Sequence, residues 1–377
     1  MTLALRGLAV AAPALFAVAL AAAGETAAPL VIVGGTVIDG TGRPPLPDGV
    51  VVIRDGKFVS VRSAGTGSLP ADARRIDAGG KWIIPGLVDM HVHYHEWMDE
   101  LFLRHGVTTV RDVGANLERI LALRRESRAG DSKKPRIFAC GPLVDGPRPR
   151  HGSWISESVA TEEEARDVAR RLLARGVDCL KAYEQLSPPL VRAVVEEAQR
   201  AGVPVTAHLR DTSAVAALEA GVRGLEHALG FPVCDEGAAE AVARLLVSRN
   251  AYVVPTLAIM SPSGSRLPCL KRFIGRLAKA GGRVLAGSDT ANSRPAAGAL
   301  LHRELELLVE AGLSPRAALT AATSAAATAL GQGESLGTIE AGRIADLVVV
   351  AADPLRSVAG IKQVDLVIRD GRVVWTR

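Results

Sequence analysis

Between residues 83 and 289 short apolar runs alternate with amphipathic helical patterns, and this alternation constrains the fold most. The runs are Ile83–His91, Val107–Asp112, Arg136–Cys140, Cys179–Ala182, Pro204–His208, Gly224–His227, Tyr252–Thr256 and Val284–Asp289. Strands that are apolar on both faces and separated by helices make a parallel sheet covered by helices. Eight such units favour closure into a (β/α)8 barrel of the TIM type over an open doubly wound sheet. No Gly-x-Gly-x-x-Gly follows any strand, which weakens a dinucleotide-binding reading. The helices carry start signals. Thr161 with Glu164 forms a capping box, and Ser187-Pro188 and Ser314-Pro315 each place an N-cap before a first-turn proline.

Both ends of the chain read differently. Leu30–Ile38, Val50–Ile53 and Lys57–Val61 are short strands, as are Asp346–Val350, Leu366–Arg369 and Arg372–Trp375. Asp55-Gly56 and Asp370-Gly371 are hairpin turns. Residues 24–80 and 338–377 are therefore expected to pair into one small β-sandwich domain beside a barrel at 81–337. The first residues form a third kind of segment. Arg6 is the one charge before an apolar run from Ala9 to Ala23, which ends in small residues. Residues 1–23 are expected to be a cleaved export signal. That places the chain in the periplasm or outside the cell, with no stable membrane insertion after cleavage.

The net charge of +5 is modest and the basic residues are scattered, so no nucleic-acid partner is expected. A small-molecule substrate is expected, and a homo-oligomer is compatible with the sequence. The four cysteines form no Cys-x-x-Cys pair, which argues against a thiolate metal site. Cys140 and Cys179 lie in apolar strand-like runs and read as buried free thiols. Cys234 and Cys269 lie in loop-like stretches and could pair after export.

The chemistry gathers at strand ends. His91 and His93 are two residues apart on one strand, so their side chains share a face and can reach one ion. His208, His227 and Asp289 close the fifth, sixth and eighth runs, and Lys181 falls near the end of the fourth. In such barrels catalytic groups lie at the carboxyl ends of the strands. Each residue alone has an ordinary explanation: a salt-bridging lysine, a helix-capping aspartate or a core histidine. Their recurrence at one location argues for a site.

With Pro85-Gly-Leu-Val-Asp-Met-His-Val-His93, Lys181, His208, His227, Gly287-Ser-Asp289 and the ending Gly337-Thr-Ile-Glu-Ala-Gly-Arg-Ile-Ala-Asp-Leu-Val348, the chain resembles the amidohydrolase superfamily. The likeness is to its imidazolonepropionase-related and Xaa-Pro dipeptidase-like members. The resemblance implies two divalent cations, zinc by default, and a CO2-derived carbamate on Lys181 that bridges them. His91, His93 and Asp289 would hold one ion, and His208 and His227 the other. Lys181 and Asp289 would be catalytic, with a metal-bridging hydroxide as nucleophile and Asp289 carrying its proton. The implied reaction is hydrolysis of an amide or peptide C–N bond in a small substrate, such as a dipeptide or N-acyl amino acid. Hydrolysis of a cyclic amide, lactone or phosphotriester, deamination, and a non-catalytic binding role are the alternatives. His95, His151 and Tyr183 are candidate substrate contacts. Arg111 is another, and the loop holding Arg148 and Arg150 could take a substrate carboxylate. His105 and His302 fall in helical stretches and read as structural. Asp289 follows His227 by 62 positions, short for this group, which points to an open pocket.

Overall fold

The computed structural model describes residues 28–130, 133–260, 264, 266–291 and 296–377; the expected signal at 1–23 lies outside them. Strands from both chain ends join in one eight-stranded sheet. Leu30–Val37 pairs antiparallel with Leu46–Arg54 and parallel with Arg74–Asp77 and Trp82–Pro85. Trp82–Pro85 pairs with Leu347–Val350, which continues through Val364–Arg369 to Arg372–Thr376. Asp55-Gly56 and Asp370-Gly371 all adopt positive φ, the conformation that a two-residue hairpin turn matching strand twist requires.

The middle of the chain builds parallel strands: β1 (Leu87–Val92), β2 (Val107–Asp112), β3 (Arg136–Ala139), β4 (Leu180–Ala182), β5 (Val205–Ala207), β6 (Gly224–Glu226), β7 (Tyr252–Val254) and β8 (Arg283–Val284). β1, β2 and β3 pair in register Leu87↔Val107 and Thr109↔Arg136. β4 to β8 pair in sequence order, and Leu143–Asp145, just past β3, pairs with β4 through Lys181↔Leu143. The eighth ladder is shorter than expected because the chain beyond Val284 bonds to both neighbours. Leu285 N–H donates to Val253 O at 2.9 Å, Met90 N–H to Ala286 O at 3.0 Å, and His93 N–H to Thr290 O at 2.8 Å. Hydrogen bonds thus run between the eighth segment and the first strand.

The helices lie against these strands through small aliphatic faces. Ala165, Val168, Ala169 and Leu172 of the helix Glu162–Ala174 share a buried cluster with Val191, Val194, Val195 and Ala198 of Pro188–Arg200. The Thr161 capping box forms and satisfies two otherwise orphaned amides, a contribution of about 1 kcal/mol. Ser314 caps its helix by accepting from Ala317 N–H, whereas the Ser187 hydroxyl makes no such bond. Arg136 ties the two sheets together: buried in β3, it pairs with Asp346 at 2.5 Å and also with Asp370.

The cysteines differ from the expectation at one pair. Cys140 and Cys179 are disulfide-bonded, with Cα atoms 4.3 Å apart, rather than buried free thiols. They flank neighbouring strands and meet across the sheet, a contact that apolarity along each strand could not reveal. Cys234 and Cys269 are also bonded. Among the described residues no helix is long and apolar enough to cross a membrane.

Candidate active site

His91, in β1, is buried at 1% side-chain exposure, while His93, one residue past β1, is 30% exposed. Their Nε2 atoms each lie 3.5 Å from Asp289 Oδ1. His227 follows β6 and brings its ring to 4.6 Å from that of His91; His208 follows β5, with its ring 4.7 Å from that of His227. His91, His227 and Asp289 offer donor atoms within 4.8 Å of one another. Lys181, central in β4, is 1% exposed, and among the described residues its Nζ has no hydrogen-bond partner. His227 and Asp289 have φ of 57° and 50°, a left-handed backbone that costs roughly 1–3 kcal/mol per non-glycine residue and persists where the fold over-determines it. The six sequence-predicted groups therefore stand within or just past parallel strands, His91 in β1 and Lys181 in β4, and His93, His208, His227 and Asp289 beyond strand ends.

Hydrogen bonds aim three of the imidazoles. His93 Nδ1 faces Gly114 O at 3.0 Å, and His91 Nδ1 faces Glu226 Oε2 at 2.6 Å. A carbonyl and a carboxylate can only accept, so both rings carry hydrogen on Nδ1, the tautomer whose neutral form presents a bare Nε2 lone pair. His227 Nδ1 is engaged by Thr256 Oγ1 at 2.6 Å.

Burial favours the neutral form of His208, His227 and His91. Burial, then the neighbouring Lys181, lowers His208 to about 2. Burial, reinforced by His91 and His208, holds His227 well below the usual imidazole range. Burial lowers His91 as well, against the opposing pull of Glu226. Lys181 is lowered to about 8 by burial, with Glu226 opposing and Arg111 assisting.

This donor set suits a divalent cation. Ligand atoms about 2.1 Å from a tetrahedral ion stand about 3.4 Å apart, close to the separations between Asp289 and the two histidines. Neutral imidazoles with oriented lone pairs are the protonation state a metal requires. An orphaned Nζ buried among them is costly as an ammonium group and chemically suited to become a carbamate.

The surrounding shell contains groups that sequence reasoning missed or misplaced. Arg111 is a correction: it lies in β2 and is 1% exposed. It donates to Glu226 Oε1 at 2.6 Å, to Tyr252 Oη at 2.7 Å and to Met90 O at 2.7 Å. Glu226, itself fully buried and also bonded by Thr206, was not singled out. The available signal was two opposite charges inside strands apolar on both faces, which must pair to be tolerated. Glu184, buried just past β4, was also missed; its Oε1 lies 3.3 Å from His208 Nε2. His95, His151 and Tyr183 stand outside the donor cluster but line, with His93, a cavity of about 500 Å³ beside it. His151 Nε2 lies 3.2 Å from Tyr183 Oη, and the Tyr183 ring packs 4.9 Å from that of His208. His105 and His302 meet edge to face, with ring centroids 5.3 Å apart.

Residues 100–374 match the model of the amidohydrolase family. The chain is similar to the imidazolonepropionase of Symbiobacterium thermophilum, 26% identical over 387 residues that span 87% of this chain and 90% of that protein. It is 29% identical over 268 residues to the dihydroorotase of Anaeromyxobacter dehalogenans, covering 63% of this chain and about half, 52%, of that relative's length. Among solved structures it resembles a Xaa-Pro dipeptidase with methionine bound in its active site, at a TM-score of 0.78 and 22% identity, over 93% of this chain and 100% of the other.

Proposed function

Because this chain belongs to the amidohydrolase family, we propose that it is a metal-dependent hydrolase cleaving an amide or peptide C–N bond in a small molecule. The observation that carries the reading is the meeting of His91, His93, His208, His227 and Asp289 around the orphaned Nζ of Lys181. His91, His93 and Asp289 would hold one divalent ion and His208 and His227 a second, with Lys181 bridging as a carbamate; zinc suits these N/O donors. When bound, the ions supply Lewis-acid activation of a water and of the scissile carbonyl. Asp289 takes the proton of the attacking water on its carboxylate and delivers it to the departing nitrogen. Glu226 and the Gly114 carbonyl keep His91 and His93 in the ligating tautomer throughout.

The hydrogen bonds from residues 286–290 to residues 90–93 support closure of the parallel strands into a (β/α)8 barrel. In this reading 81–337 is the barrel and 24–80 with 338–377 a small β-sandwich domain. Export through residues 1–23 is part of the proposal, and two disulfides, which persist in oxidising compartments, support it. The test is metal analysis of the purified protein with turnover on amide, lactone and phosphotriester panels. The expected result is C–N cleavage that disappears on chelation and returns with zinc. Cleavage confined to lactones or phosphotriesters overturns the proposal.

A further inference from the structure

The two disulfides stand in opposite surroundings. Cys140 and Cys179 are buried at 0% and 2% exposure. Cys234 is exposed, and with its partner Cys269, at 8%, it borders a groove of about 700 Å³. Ala243 and Val247 of the helix Glu236–Ser248 and Phe273 of the helix Arg266–Lys279 also line this groove, so a small molecule can reach the sulfur pair from solvent.

The two sulfurs of the exposed bridge are not equivalent. Arg272 Nη2 donates to Cys269 Sγ at 3.3 Å, and among the described residues this guanidinium makes no ion pair. The other two guanidiniums on the groove are occupied, Arg244 by Glu240 and Arg276 by Glu236 at 3.0 Å. Cys269 also lies in the first turn of its helix, where backbone N–H groups favour negative charge. A helix start lies beside Cys234 too, but its N-cap Asp235 and the following Glu236 already place two negative charges there. A thiolate released at Cys269 is therefore stabilised by its surroundings, and one released at Cys234 is not. In thiol–disulfide exchange the sulfur that better bears the charge leaves faster, so the other is the one that is attacked.

The bridge also bears on His227. It ties the segment after β6 to the helix beginning at Arg266, whose Nη2 donates to Ala228 O at 2.7 Å. His227 and Ala228 have φ of 57° and 47°, a backbone conformation kept only where the surroundings enforce it.

We propose that Cys234 is a site of reversible S-thiolation by a low-molecular-weight thiol. The incoming thiolate attacks Cys234 Sγ, the Cys234–Cys269 bond breaks, and its electron pair leaves on Cys269 beside Arg272. One disulfide is consumed and one mixed disulfide is formed, so no further oxidant or reductant is needed. Attack of the Cys269 thiolate on the adduct restores the bridge and releases the thiol. While the adduct lasts, residues 228–235 are untethered from the helix and the turn at His227 is held less firmly. Weaker retention of the ion that His208 and His227 would hold follows, and this last step alone rests on the hydrolase reading above.

The test treats the zinc-loaded full chain with reduced glutathione, captures released thiols with iodoacetamide and maps both groups by peptide mass spectrometry. Glutathione on Cys234 with carbamidomethyl on Cys269 should exceed the reverse pattern by about tenfold, with Cys140–Cys179 intact. Arg272→Gln should bring that ratio at least about threefold closer to one. Amide hydrogen exchange over residues 227–235 should be faster in the adduct than in the bridged protein, and a chelator should strip zinc from the adduct more readily. No adduct, glutathione chiefly on Cys269, a ratio unmoved in Arg272→Gln, or equal reaction of both disulfides overturns the site. The expected adduct with unchanged exchange over 227–235 overturns its coupling to His227. The expected adduct and faster exchange in a chain that binds no zinc support the site and count against the hydrolase reading.

Discussion

Glu226 stands between His91 and Arg111, with one carboxylate oxygen 2.6 Å from the imidazole Nδ1 and the other 2.6 Å from the guanidinium. All three groups are buried at 1% exposure or less, so no water screens or replaces these bonds. Glu226→Gln removes the charge that fixes His91 in its ligating tautomer and leaves Arg111 uncompensated. Zinc affinity should fall 10–100-fold, and stability should fall by about 3–5 kcal/mol. Competition titration with a chelator and denaturant unfolding check the two effects separately. The double change Arg111→Met with Glu226→Leu removes the buried charge as well as its partner. It should recover most of the stability and none of the zinc affinity.

Lys181 supplies the second prediction. Among the described residues its Nζ is buried without a hydrogen-bond partner, and burial, opposed by Glu226 and assisted by Arg111, disfavours the ammonium form. Lys181→Ala should lower bound metal and reduce kcat at least about 100-fold, since the proposed bridge that would hold both ions is lost. Acetate or propionate should restore part of the activity by supplying two oxygens in the space left behind. Full metal content and full turnover in the variant would remove the carbamate from the mechanism.

The candidate ligand positions were readable along the chain because histidine and aspartate seldom end apolar strands. His91, His208, His227 and Asp289 could each be placed from the strand pattern, and they do meet. What joins them laterally was not readable. Arg111 looked like a substrate contact because it lies near a strand end, yet the pleat turns it inward to Glu226, a partner 115 positions away. The Cys140–Cys179 bond escaped for the same reason, being a contact between strands rather than along one. Glu184 follows Lys181 by three residues in an ordinary loop sequence, and only loops from β3 and β5 give it two arginines.

A third prediction concerns pH and a buried acid beneath the loop after β7. Glu304 accepts from Ala258 N–H at 2.8 Å, and its other oxygen is buried without a partner. Burial, only partly opposed by backbone donors, raises it from 4.5 to about 8. The folded chain therefore holds this proton at pH values where the unfolded chain releases it. Its contribution is complete below about pH 4.5 and is lost as pH rises through about 8. The difference in unfolding free energy between the protein and Glu304→Gln should shift across that window by about 5 kcal/mol at most, at roughly 1.4 kcal/mol per pH unit. Urea unfolding of both proteins from pH 5 to 8.5 measures it, and parallel curves would contradict the buried neutral acid.

Gly287 tests how finely the backbone positions the ligands. A Cβ added there would lie 2.4 Å from Val254 Cγ1, 2.8 Å from His91 Cβ and 3.0 Å from the His91 backbone nitrogen. Val254 can change rotamer, but the backbone of His91 cannot withdraw without moving its ring, because Asp289 N–H donates to His91 O at 2.8 Å. Gly287→Ala must therefore push β1 and the Asp289 segment apart at the point where their side chains share Oδ1 and Nε2. Overpacking of this kind costs about 1–3 kcal/mol of stability. The displacement of two ligands should lower zinc affinity and kcat by about tenfold or more, while the terminal sheet, distant from the change, stays intact. Chelator competition alongside kcat on the best amide substrate checks it. A variant that binds zinc and turns over normally would mean the two segments are not held in the close register that brings Asp289 to His91.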